Sequence, residues 1–124
     1  MTLLWVMLAG GLGSRARYLL GLWAAAAFGT AFPVGTLIVN LAGSFLLGFL
    51  VPFALSGSIS AELRAALGAG FLGGFTTYSS FNQETLVLMT SGATGAAALN
   101  VAITVVGGLT AGSIGLLAAR ALQP

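Results

Sequence analysis

The sequence predicts an all-α integral membrane protein, a four-helix bundle whose third spanning helix is broken. Three observations carry the prediction. Hydrophobic residues make up 58% of the chain and charged residues 5%, where soluble domains carry about a quarter charged. Four mostly apolar stretches, each of the roughly 20 residues that cross a bilayer, follow one another along the chain. The third of them contains the polar run Gly70-Phe71-Leu72-Gly73-Gly74-Phe75-Thr76-Thr77-Tyr78-Ser79-Ser80-Phe81-Asn82-Gln83-Glu84. At 124 residues the whole chain, 1–124, reads as a single transmembrane domain.

The first span covers about residues 3–27 and is interrupted by Arg15 and Arg17. Ala24-Ala25-Ala26 resembles a signal-peptide cleavage site, but the basic leading region of a signal is missing, so the span is read as retained. The second covers about 34–55 without a charge, the third about 62–89, and the fourth about 95–122 with Arg120 as its charge. The connectors between them are short and rich in Gly, Ser and Pro, as turns require. Short connectors force neighbouring helices to run antiparallel, in up-down order.

Composition excludes several classes. The four arginines and two glutamates are scattered, whereas a nucleic-acid partner needs a basic patch on a wet surface; none is expected. Without cysteine or histidine, disulfides and thiolate sites are excluded and a zinc site is not expected. Gly11-Leu12-Gly13-Ser14-Arg15-Ala16 fits the dinucleotide fingerprint, but no acid stands about 20 positions later to hold a ribose. That match is rejected.

Orientation is weakly specified. Arg64 and Arg120 fall on the same side, and no loop carries a lysine, so the positive bias is small. Two readings follow: insertion both ways with head-to-tail self-pairing, or one orientation set by two arginines. The pairs Gly70/Gly74 and Gly108/Gly112, with Gly43 and Ser44, read as close helix-packing positions.

The run from Gly70 to Glu84 reads as an interrupted membrane helix carrying an ion site. Gly73 and Gly74 each weaken a helix by about 1 kcal/mol relative to alanine, which sets the expected break there. Hydroxyls of Thr76, Thr77, Ser79 and Ser80 can satisfy freed backbone groups or meet a small ion. Irregular backbone at membrane depth persists only where protein or a wet cavity surrounds it. Tyr78 and Phe81, three apart, share a helical face, and aromatic ring edges carry partial positive charge suited to a small anion. Asn40, inside an uncharged span, either links two helices or lines a path. On the fourth span Asn100 and Thr104 share a face. Thr104 and Thr110 alone would be unremarkable, since a helix satisfies a hydroxyl on its own i−4 carbonyl. Arg15, Arg17 and Glu84 are costly in a membrane unless paired or hydrated. Arg17 would draw anions to an entrance; Glu84 would sit at a mouth or pair with arginine.

These residues resemble the signature of the small bacterial fluoride channels, the Fluc or CrcB family. Gly11 to Tyr18 and Pro33 to Gly48, with Asn40 inside the latter, agree with it as well, so the resemblance covers essentially the whole chain. It implies a passive, fluoride-selective channel in the inner (plasma) membrane, multi-pass, that relieves cytoplasmic fluoride accumulation. It implies an antiparallel dual-topology homodimer in the lipid bilayer, with two pores and a structural sodium ion bound by backbone carbonyls, here those of Gly73 and Thr76. The aromatic pair of the pore maps onto Tyr78 and Phe81, its asparagine onto Asn40, and its hydroxyls onto Ser79, Ser80, Thr104 and Thr110. Arg17 and Glu84 map onto the vestibule. Tyr78 stands where the family commonly has phenylalanine, and Asn100 where an aromatic hydroxyl often stands. Two other readings compete: a proton-coupled small multidrug exporter, which needs a carboxylate that the first span lacks, and a non-transporting membrane scaffold. No residue is poised for covalent chemistry, so no enzymatic step is expected.

Overall fold

The first two helices are long and uninterrupted. In the computed structural model, which describes residues 1–123, α1 runs Thr2–Phe28 and α2 runs Val34–Leu55. The third segment begins as α3 (Ala61–Ala65), continues through a π-helical stretch (Ala66–Leu72) and ends its first half as α4 (Gly73–Phe75). Its second half is α5 (Tyr78–Thr90). The fourth segment is α6 (Thr94–Ala102), a second π-helical stretch (Ile103–Gly107) and α7 (Gly108–Ala121). The described residues contain no strand. Each connector turns on a glycine in the left-handed region, Gly29 (φ 77°), Gly57 (φ 71°) or Gly92 (φ 84°), a conformation that costs glycine no steric penalty.

Two close helix crossings build the frame. α1 lies against the first half of the third segment: a side chain at Gly13 would meet the backbone of Phe71 and Phe75, and one at Gly74 would meet that of Gly10. α2 lies along α7 in the same manner, with Gly48 against the backbone of Gly112 and Gly115 against that of Phe45 and Phe49. Small residues at such crossings let backbones approach where no hydrophobic drive separates helix from lipid.

Gly73 and Gly74 therefore do not mark the interruption. Both are helical, and Gly74 is spent on the crossing with α1. The backbone leaves the helix two residues later, at Thr76 (φ −79°, ψ 157°) and Thr77 (φ −151°, ψ 115°). Helix propensity located the weak point, but tertiary contact kept the glycines helical.

The buried apolar set is small: Ala24, Val39, Leu72, Phe75, Phe81, Leu88, Ala97 and Ala119. Large apolar side chains instead face outward along every long helix, for instance Leu12, Leu46 and Leu109. Two helices, Val34–Leu55 and Thr94–Ala121, are long and apolar enough to cross a membrane.

Candidate functional site

An interrupted helix leaves backbone groups without helical partners, and here side chains from two other helices take them up. Asn40 on α2 clamps Thr77 from both ends of its amide. Nδ2 donates to the Thr77 carbonyl at 2.9 Å, and the Thr77 N–H donates to Oδ1 at 2.8 Å. Arg17 on α1 donates from Nε to the carbonyl of Gly74 at 3.0 Å, with the Ser14 hydroxyl at 3.4 Å from the same oxygen. An arginine at a helix C-terminus satisfies a free carbonyl and complements the helix dipole. Thr76 closes the first half on Leu72, whose carbonyl accepts from both its hydroxyl (2.8 Å) and its N–H (2.9 Å).

The second half starts afresh. Thr77 caps α5 by accepting from the Ser80 N–H at 3.2 Å, and its hydroxyl also meets those of Ser79 (3.2 Å) and Ser80 (3.1 Å). Among the described residues, nothing donates to the carbonyls of Gly73, Phe75 or Thr76.

Separate clefts border this interruption. One, of about 360 Å³, is lined by Asn40, Gly73, Thr76, Tyr78, Phe81 and Thr104, among others. Gly43 makes room there, since a side chain at that position would meet the Thr76 methyl. Phe81 is buried while Tyr78 is 78% exposed, and their ring centroids lie 5.6 Å apart with planes tilted by 56°. Phe81 is also fixed from behind: its carbonyl accepts from the Thr85 hydroxyl at 2.7 Å, which accepts from Asn100 Nδ2 at 2.9 Å. Asn100, 2% exposed, thus ties α6 to α5.

Arg17, Thr36, Thr77 and Ser80 line a second cleft of about 210 Å³. Thr36 and Ser80 also line a wider mouth of about 360 Å³ with Gln83 and Glu84. Glu84 Oε1 accepts from the Thr36 hydroxyl at 2.7 Å, and its Oε2 is buried without a partner. Arg17 and Glu84 therefore do not form the helix-linking ion pair weighed from sequence; each has its own partner.

The structure thus brings Asn40, Gly73, Thr76, Tyr78, Phe81 and Thr104 to one cleft, Arg17 and Ser80 to a second, and Ser80 and Glu84 to the wider mouth. Ser79 is exposed and bonded to Thr77, and Thr110 is exposed with its hydroxyl on the Val106 carbonyl at 2.8 Å. Neither lines the cleft of Phe81. Sequence reasoning passed over Thr36 and read Ser44 only as a helix-packing position. Both had a signal: with Asn40 they recur every four residues along an otherwise apolar helix, a polar stripe on one face.

The family model for CrcB-like protein, Camphor Resistance (CrcB), matches residues 4–116. A relative in Anaeromyxobacter sp. (strain K), named fluoride-specific ion channel FluC, is 52% identical over 95% of this chain and 94% of its own. Relatives of the same name in Sorangium cellulosum (strain So ce56) and Shewanella woodyi are 47% and 45% identical. These cover 95% and 82% of this chain and 94% and 82% of their own lengths. With a family model spanning most of its length and relatives this similar, the chain belongs to the CrcB-like family.

Proposed function

We propose that this chain forms a passive, fluoride-selective channel that lets fluoride leave the cell and so lowers its cytoplasmic level. The observation that carries the reading is the cleft beside the interrupted helix, where Asn40, Tyr78, Phe81 and Thr104 converge, in a chain so similar to proteins named fluoride-specific ion channels. Fluoride holds its hydration shell strongly. Giving that shell up requires several converging donors at close quarters, and an O–H, an N–H and positive ring edges supply them without a full counter-charge. Chloride is larger and would be poorly matched by the same lining. Arg17 and Ser80 on one side and Glu84 at the mouth form the vestibule of this path. Transport of this kind needs no covalent step.

The channel works as an antiparallel dual-topology homodimer, multi-pass in the inner (plasma) membrane, with its third helix broken at Thr76 and Thr77. Outward-facing leucines on every long helix support a lipid or partner surface, and two helices have the length and apolarity to span. Exposure of Gly73 and Tyr78 at the cleft supports a second copy completing it.

The residues fit a structural sodium ion. The carbonyls of Gly73 and Thr76 have no donor among the described residues, and a hard cation takes oxygen ligands. No group of three or more His, Cys, Asp or Glu stands ready for a metal among those residues, so carbonyl oxygens are the ligands on offer. Bound there by both copies, the ion would add positive charge and hold the two interruptions together. On this reading a structure of the assembled dimer carries ion density between Gly73 and Thr76 of the two copies; packed side chains alone would contradict it.

The exporter reading has no support, because α1 contains no carboxylate. The test of the channel reading is efflux from liposomes followed with a fluoride electrode. Fluoride flux well above empty vesicles, with chloride retained, is the expected result. Flux no faster than empty vesicles would refute the channel, and equal chloride flux would refute its selectivity.

A further inference from the structure

Several hydroxyl side chains in the second half of the chain follow the helical habit of donating to the carbonyl four residues back. Thr85 donates to Phe81, Thr90 to Leu86, Thr110 to Val106 and Ser113 to Leu109, at 2.7 to 2.9 Å. Two serine or threonine hydroxyls on the cleft of Phe81 make no hydrogen bond at all among the described residues: Ser44 on α2 and Thr104 on the fourth segment, which both line it. Among those residues the buried side-chain oxygen left without a partner is Oε2 of Glu84, so the oxygens of Ser44 and Thr104 are open to the cleft.

Their placement is complementary. Ser44 lies one turn beyond Asn40 on the same face of α2, and Gly108 lies one turn beyond Thr104 on the fourth segment. A Cβ built on Gly108 would stand 3.6 Å from the Ser44 hydroxyl oxygen. The fourth helix therefore has a gap one turn past Thr104, and the hydroxyl of α2 occupies it.

We infer that Ser44 is a donor of the anion path, supplying from α2 the hydroxyl that Gly108 does not supply from the fourth helix. The inference rests on the channel reading above and adds a residue to it. A hydroxyl with no internal acceptor turns its O–H toward an anion without giving up a bond, whereas Thr110 would first have to release the Val106 carbonyl. Thr104 and Ser44 then present successive donors past Phe81, about one helical turn apart.

Fluoride efflux from liposomes tests this with the parent chain, Ser44→Ala, the double variant Ser44→Ala/Gly108→Ser, and Ser113→Ala as the control. Removing a donor to an anion slows Ser44→Ala about tenfold or more, at unchanged elution as the assembled protein. Adding the hydroxyl back from the other helix in the double variant restores most of the rate, which mere loss of packing at Ser44 would not allow. Ser113→Ala runs at the parent rate. Parent flux with Ser44→Ala equally fast overturns this inference and leaves the channel reading standing. A double variant that assembles yet is no faster than Ser44→Ala overturns it too. No flux from the parent overturns both.

Discussion

The third and fourth segments are both irregular helices beside the same cleft, yet they handle irregularity in opposite ways. In the fourth, the π-helical stretch Ile103–Gly107 keeps its backbone bonded along the helix and exposes one hydroxyl, that of Thr104. In the third, two residues leave the helix altogether, and Asn40 and Arg17 are committed from α2 and α1 to hold the freed groups. A π-stretch offers side chains to a cleft at little cost. An outright interruption also offers backbone carbonyls, but only with neighbouring helices as clamps. Small residues make those clamps possible: Gly13 and Gly74 bring α1 against the third segment, and Gly43 brings α2 against Thr76, close enough for side chains to reach.

That contrast can be broken from either side. The largest effect is expected at Asn40→Ala, which removes both hydrogen bonds to Thr77 and leaves a part-buried N–H unpaired, at a cost of about 1–3 kcal/mol. Fluoride efflux should fall to the leak rate and the melting temperature in detergent should drop; normal flux would show that the clamp is dispensable. Arg17→Gln comes next. It removes the charge from the end of α4, and flux is expected to fall by about ten- to a hundredfold if the Gly74 carbonyl loses a charge-assisted bond. Parent-like flux would place Arg17 outside the mechanism. Thr104→Val is the mildest of the three, because the π-stretch keeps its backbone bonds without the hydroxyl. A severalfold loss of flux at unchanged thermal stability is expected, and a large stability loss would contradict the division drawn between the two segments.

Much of this was legible in the chain. The helices end at the Gly, Ser and Pro connectors because those residues punctuate helices, and Gly29, Gly57 and Gly92 take the left-handed turns. The polar run of the third segment was legible because it contradicts its apolar surroundings. The point of interruption was not. Gly73-Gly74 has the lower helix propensity, but Gly74 is needed for the crossing with α1, so the chain opens at Thr76-Thr77, where Asn40 supplies bonds. Thr36 escaped notice, and Ser44 was read only as a packing position, because a lone hydroxyl in a helix normally satisfies itself and only their spacing from Asn40 sets them apart. Thr110, which the resemblance maps onto the pore hydroxyls, bonds to Val106 within its own helix, as a lone helical hydroxyl can. Asn100 was ambiguous for a different reason, since its partner Thr85 is fifteen residues away across a turn.

The central claim is that anions pass beside the interrupted helix along Phe81, and the most direct measurement is fluoride efflux from liposomes carrying Phe81→Ile beside the parent. The account predicts rapid fluoride loss from parent vesicles and only background leak from the variant, with both proteins eluting as the same assembly. A Phe81→Ile protein that releases fluoride as fast as the parent would contradict it.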